Sequence, residues 1–250
     1  MSNRSRPSDA QDVIDPDLLM LAYRSGIFPM AESRDDPSVV WIEPRERAII
    51  PLDGLHVSRS LKKVLKSGRF HVTCNAAFAE VVEACAAPRR PTMQEDGIDD
   101  GSESWISHRI AASYRLLHSL GRAHSIEVWQ QGDGGPVMVG GLYGVGFARA
   151  FCGESMFSTA SDASKVALCY LVAAMRASRL ELLDCQFMTG HLGRMGAVAM
   201  PQSEYLELLA KAMRPSSLAP FSTLPEGFHS LIEGSSSPGK VIAQSFTQTS

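Results

Sequence analysis

Apolar residues first recur at helical spacing in PDLLMLAYRSG, where Asp15 suits the N-cap, Pro16 the first helical position and Gly26 the stop. Phe28-Pro29 breaks the chain, residues 39–42 (VVWI) predict a short strand closed by Pro44, and residues 49–52 predict another. Ser58 caps a helix over RSLKKVLKSG, with Leu61, Val64 and Leu65 on one face and Gly68 at its end. Residues 70–73 are strand-like and 76–86 helical. Residues 88–103 are rich in Pro, Gly and acids and predict a loop, partly disordered. After Trp105-Ile106 comes a helix, HRIAASYRLLHSLG, closed by Gly121.

From His124 the period changes to two. HSIEVWQ, VMVGGLYGVGF and ARAFCGES predict strands, with a turn at QGDGGP. Asp162 caps the next helix. LELLDCQF has the continuous apolar run of a buried strand, GHLGRMGA is a short helix or turn, and Ser203 caps a last helix over EYLELLAKAMR. Residues 1–14 read as a flexible leader and 216–250 as an irregular, disordered tail. The order implies an α+β fold with a mixed sheet: a small N-terminal α/β domain over 15–100, then a helix, a β-meander, a helix, a strand and a helix over 101–215.

Composition narrows the function classes little. The formal net charge is −3, so global charge does not advertise a nucleic-acid partner. Five cysteines, none in C-x-x-C, argue against zinc and against a disulfide framework and read as free thiols. The N-terminus lacks the apolar run of a secretory signal, and no apolar run approaches the length that spans a bilayer, so the expected location is the cytoplasm.

Local charge is more telling. Arg59, Lys62, Lys63 and Lys66 share one helix face at i, i+3, i+4, i+7, with Arg69 following and no acid between them; the pattern fits either a solvated face or a phosphate-binding one. Gly141-Leu142-Tyr143-Gly144-Val145-Gly146 resembles a phosphate loop on paper. Its glycines, however, sit between strand-like segments, where they mark bulges or close backbone approach. Gly153-Glu154-Ser155 faintly follows a nucleophile elbow, with Asp184 and His191 downstream. Phe157 stands where the tight turn needs its second glycine, which weakens a Ser/Asp/His hydrolase. Trp41 and Trp105 lie at element edges, where an indole can stack on a base. Asp184 and Gln186, two apart at the end of an apolar strand, are expected to share a face and hydrogen-bond side by side.

Taken in order, LLMLAYRSGIFPM, LHVSRSLKKV, SWI, YRLLHSLGRAHSIEVW, VGGLYGV, FCGESMFS, DASKVAL, LLDCQF and HL-x-x-x-GA resemble the leucyl/phenylalanyl-tRNA–protein transferases, from about Leu18 to Leu208. The resemblance implies transfer of Leu or Phe, less often Met, from charged tRNA to the α-amino group of proteins that begin with Arg or Lys. That reaction marks them for N-end-rule degradation. It also implies a GNAT-like catalytic domain, no cofactor, no metal, and action as a monomer. Carried over by residue, Asp184, Gln186 and Glu154 are the implied catalytic set. Trp105, Tyr23, Tyr114 and Ser155 are implied to border the substrate, and Leu142, Phe151, Leu171 and Met175 the side-chain pocket. Met30 stands where many members have Trp, Val40 replaces the first of two Trp, and Gly190 and Gln202 replace more usual polar and Arg residues. The competing readings are the hydrolase and a non-catalytic tRNA-binding module.

Overall fold

Asp15 accepts the Asp17 and Leu18 N–H groups at 3.0 and 2.9 Å, which satisfies donors that the first turn of α1 (Pro16–Arg24) leaves open. The computed structural model describes residues 13–88, 92–94, 97–99, 104–215 and 223–246. Most of the expected leader lies outside them, but Ile14 is buried and its N–H donates to Ser113 Oγ at 2.9 Å. Gly26, at φ 78°, ends the first helix, and the chain then runs through β1 (Phe28–Met30), which pairs antiparallel with β2 (Val40–Ile42). Phe28-Pro29 therefore forms a strand and not only a break. Met30 lies opposite Val40 in this pair.

Next come β3 (Glu46–Ile50), α2 (Arg59–Lys66), β4 (His71–Cys74), α3 (Phe78–Ala86) and a hairpin of β5 (Thr92–Gln94) with β6 (Gly97–Asp99). That hairpin falls inside the span expected to be loop. The chain continues with α4 (His108–Ser119), β7 (Ala123–Gly132), β8 (Gly135–Phe147), β9 (Ala150–Ser158), α5 (Ala163–Ala177), β10 (Leu182–Gln186), α6 (Gly190–Arg194), β11 (Val198–Pro201), α7 (Gln202–Met213), α8 (Leu224–Ile232) and α9 (Pro238–Ser245). Ser58 caps α2 as expected, its Oγ accepting the Leu61 N–H. Asp162 holds the N-cap position of α5 but at φ 69°; its carboxylate meets Lys165 Nζ at 2.8 Å and caps nothing. Ser203 is not a cap either. β11 runs directly into α7, Pro201 takes the N-cap position, and the Gln202 N–H donates to the Arg45 carbonyl at 3.0 Å.

The main sheet has seven strands in the order β11-β3-β10-β9-β8-β7-β4. Only β9 and β10 are parallel, which makes the sheet mixed and the class α+β. The segment expected as a separate N-terminal domain supplies β3 near one edge and β4 at the other. Strand alternation divides the core into two layers. Leu142, Phe151 and Leu183 face α5; Tyr143, Cys152 and Leu182 face α1, α3, α4 and α7.

The expected disordered tail is corrected over 223–246. Thr223 and Glu226 form a reciprocal capping box at the start of α8, and Phe228, Ile242 and Ala243 are buried. A Cβ on Gly227 would lie 1.9 Å from Ser178 Oγ and 2.6 Å from the Ala174 carbonyl, so α8 packs directly on the end of α5. Gly227→Ala is expected to destabilise the fold by about 1–3 kcal/mol through overpacking, read as a lowered melting temperature. An unchanged melt would mean that α8 is not seated there.

Candidate active site

The parallel pairing of β9 with β10 runs through Leu182↔Ala150, Leu183↔Phe151 and Asp184↔Cys152 and stops there. Beyond it β9 continues to Ser158 against β8, while β10 shifts register against β3 and turns away at Gln186, φ 61°. The sheet splits at this point. Glu154 and Gln186 stand on the two lips and bridge them: Gln186 Nε2 donates to Glu154 Oε1 at 3.0 Å.

Glu154 gathers the expected tyrosines. The Tyr114 hydroxyl, from α4, donates to Glu154 Oε2 at 2.8 Å, and the Tyr23 hydroxyl, from the last turn of α1, lies 2.6 Å from that of Tyr114. Burial pushes the Glu154 carboxyl up to about 7, against hydrogen bonds from Tyr114, Tyr23 and Gln186 that pull it down and the charge of Asp184 that adds to the rise. Burial first, and the charge of Glu154 second, hold both tyrosine hydroxyls well above their ordinary value, so they remain donors. A carboxyl that changes charge near neutrality, inside a chain of fixed donors, can accept and return a proton.

Asp184 sits differently from the expected side-by-side pair. It is fully buried, with both oxygens engaged: Oδ1 accepts Arg47 Nε at 2.9 Å and the Gln186 backbone N–H at 2.8 Å. Oδ2 accepts Arg47 Nη2 at 2.6 Å, the Tyr205 hydroxyl at 2.9 Å and the Cys152 thiol at 3.4 Å. The link to Gln186 thus runs through the backbone, because the positive φ of Gln186 swings its amide away toward Glu154. Arg47 and Tyr205 were absent from the sequence reading. The signal that could have found Arg47 is a cation set directly against the apolar run AII, two residues before Ile49 in strand spacing.

Ser155 is half-buried on β9, opposite Tyr143, and no hydrogen bond joins it to Asp184 or His191 among the described residues. His191 Nε2 is buried without a partner. The hydrolase triad is not assembled. The Gly-rich run lies inside β8, where a Cβ on Gly144 would lie 2.2 Å from the Cys152 carbonyl; it serves strand packing and not phosphate.

Leu142 and Phe151 on the sheet and Leu171 and Met175 on α5 belong to one core layer between the sheet and that helix, on the opposite sheet face from Tyr23, Tyr114 and Asp184. Trp105 is half-buried beside the end of β1, its carbonyl accepting the Ala31 N–H at 3.1 Å. On α2, Arg59, Lys63 and Lys66 are exposed, whereas Lys62 is half-buried and reaches the Phe246 carbonyl at 3.4 Å, just past α9. Arg69 stacks on Phe70, 4.6 Å from the ring centroid. A groove of about 510 Å³, lined by Ile50, Leu52, Arg176, Leu183, Leu208 and Lys211 among others, lies at the other end of β10, away from Gln186. No described helix is long and apolar enough to cross a membrane.

A sequence model described as leucyl/phenylalanyl-tRNA protein transferase matches residues 49–210, and one for the N-terminal domain of the same proteins matches 12–45. The leucyl/phenylalanyl-tRNA–protein transferase of Novosphingobium aromaticivorans is 53% identical over 95% of this chain and 97% of its own length. One from Rhodopseudomonas palustris is 49% identical over 88% and 92%. Among solved structures, FemX matches with a TM-score of 0.45 and 12% identity, over 74% of this chain and 66% of that one. With both segments matched in order, Glu154, Gln186 and the two tyrosines gathered at one split, and relatives aligned nearly end to end, the chain belongs to the leucyl/phenylalanyl-tRNA–protein transferase family of aminoacyltransferases.

Proposed function

We propose that the protein transfers Leu or Phe, less often Met, from aminoacyl-tRNA to the N-terminal α-amino group of proteins beginning with Arg or Lys. The product is a substrate of N-end-rule degradation in the cytoplasm, and the reaction uses no added cofactor. The observation that carries this reading is the Gln186–Glu154 bond across the split, backed by two protonated tyrosines. We read residues 101–215 as a GNAT-like catalytic unit; strands that part beyond a parallel pair support that reading.

The reaction is aminolysis of an ester. The amine nitrogen attacks the aminoacyl carbonyl carbon, a C–N bond forms, and the bond to the tRNA 3′-oxygen breaks. One proton leaves the amine and one arrives on that oxygen. An α-amino group has a pKa of about 8, so roughly a tenth is neutral at pH 7 and generating the nucleophile needs little help. Glu154, changing charge near the same pH, takes the proton as the C–N bond forms and returns it to the leaving oxygen. Gln186, its NH2 held by Glu154, offers its carbonyl oxygen to the attacking amine and aligns it. Asp184, enclosed by Arg47 and Tyr205, takes no proton from substrate; it fixes the turn that carries Gln186.

The aminoacyl side chain enters the split toward Leu142, Phe151, Leu171 and Met175. An apolar wall discriminates by only about 1–3 kcal/mol per methylene, which suits a loose choice among Leu, Phe and Met. Trp105 and Ser155 border the entrance, with Trp105 placed to stack on the terminal adenosine. The acceptor stem lies along Arg59, Lys63 and Lys66, with Lys62 and Arg69 at the edge of that patch. Lys63→Glu with Lys66→Glu is expected to raise the tRNA KM and lower the salt slope of binding by roughly 1–2, leaving kcat nearly unchanged. Lys62 is spared in this test because it also holds the segment after α9. Binding indifferent to both charges would assign the RNA to another face.

The deciding assay follows labelled Leu from charged tRNA to an Arg-initiated peptide. Label on the peptide supports the proposal. Label released as free leucine would favour hydrolysis, and tRNA binding without either product would favour a binding module.

A further inference from the structure

Arg47, on β3, lies on neither lip of the split, yet it bonds both to the strand that carries Gln186 and to the end of the helix that carries Tyr23. It is buried, and its guanidinium carbon lies 4.8 Å from the Phe28 ring centroid and 4.6 Å from that of Tyr205. Nη1 donates to the Gly26 carbonyl at 2.9 Å, three residues beyond Tyr23 at the end of α1. Nε and Nη2 grip Asp184, whose Oδ1 in turn holds the Gln186 N–H. One rigid planar group is therefore fixed to the two segments that deliver Tyr23 and Gln186 to opposite sides of Glu154.

A buried ion pair adds little stability over an apolar replacement of the same shape, so stability alone is a weak reason for a charge at this depth. Gln186 also occupies a left-handed conformation that a residue with a Cβ adopts only when its surroundings impose it. The N–H bond to Asp184 imposes it, and the fork of Arg47 keeps Asp184 from rotating out of that bond.

We infer that Arg47 is a positioning residue for the transfer reaction, setting the distance between Tyr23 and Gln186 across Glu154. The inference rests on the catalytic reading of Glu154 and Gln186 above. A lysine at 47 keeps the charge but cannot hold Asp184 through two bonds and Gly26 through a third.

The test compares full-length wild type, Arg47→Lys, Gln186→Ala and the double variant. Arg47→Lys is expected to lower kcat by about 10²-fold, the usual penalty of a displaced reacting geometry, with the tRNA KM changed less than about threefold. Glu154 faces Tyr23 from α1, Tyr114 from α4, Tyr143 from β8 and Asp184 from β10. Weakening the bonds from Tyr23 and Gln186 removes pulls that lower its pKa, so the acidic limb of the rate profile should move upward. In the Gln186→Ala background the loss from Arg47→Lys should shrink to under about threefold, since coupled residues do not add. An equal loss in both backgrounds, or an unmoved limb, overturns the positioning role.

If Arg47→Lys does not fold, Tyr205→Phe removes one hydroxyl bond to Asp184 and leaves the stack in place. A smaller kcat loss that vanishes with Gln186→Ala supports the proposal, and additivity overturns it. Unchanged turnover in Gln186→Ala alone would overturn the catalytic reading itself. A slow Gln186→Ala with an additive Arg47→Lys would leave that reading standing and remove only this one.

Discussion

Glu154→Gln is expected to lower the transfer rate by about 10²–10⁴-fold, the range lost with a positioned general base, while the tRNA KM changes by less than about threefold. Wild type should show an acidic limb with a midpoint near 7, the pH at which the carboxyl changes charge. The variant should lose that limb and keep only the rise near pH 8 from the acceptor amine. Stability separates the lost chemistry from a lost fold. A carboxyl raised from 4.5 to about 7 on folding binds its proton more tightly in the native state. Its presence therefore lowers stability as pH rises from about 4.5 through about 7. At pH 8 the glutamine variant should melt no lower than wild type. A variant that keeps the limb near 7, or turns over at the wild-type rate, would remove Glu154 from the proton path.

Asp184→Asn should act first on the fold. It leaves the Arg47 guanidinium buried with a neutral partner, and breaking a buried pair from one side costs about 3–5 kcal/mol. That is a large part of the 5–15 kcal/mol typical of a domain, and at about 2–4 °C per kcal/mol it lowers the melt by roughly 10 °C. The paired replacement Arg47→Met with Asp184→Leu is expected to recover only part of the stability, because it removes the unpaired charge but leaves the Gln186 N–H, the Tyr205 hydroxyl and the Gly26 carbonyl without their partners. It should not recover turnover, since the Gln186 N–H then lacks its acceptor. A melt of Asp184→Asn within a degree or two of wild type would show that the pair is not held as described. Recovered turnover in the paired replacement would show that Gln186 needs no anchor.

Residue pattern carried much of this architecture. Asp15 and Ser58 cap their helices as short-range rules require, and the apolar run before Asp184 is a buried strand. Glu154, Tyr23, Tyr114 and Gln186, brought forward through likeness to a family, meet at one hydrogen-bonded cluster. What stayed hidden depends on tertiary partners. Period-two alternation holds only while a strand is regular, so the bulge at Gln186 and its positive φ broke the expected side-by-side pair. Arg47 looks like a surface charge until Asp184, 137 positions away, is beside it. Ser- and Gly-rich composition masked the capping box of Thr223 and Glu226, and with it two packed helices. Leu142 and Tyr114 belong to core layers on opposite faces of the sheet, a separation that strand pattern alone does not reveal.

In the proposed reaction the bridge between Glu154 and Gln186 serves transfer of the aminoacyl group to an amine and not its hydrolysis. The most direct measurement follows labelled Leu from Leu-tRNA, with and without an Arg-initiated peptide, in wild type and Glu154→Gln from pH 5.5 to 8.5. Peptide-borne label is expected to rise through about pH 7 in wild type and to lack that rise in the variant. Label appearing as free leucine at the same rate with or without the peptide would contradict the proposed transfer.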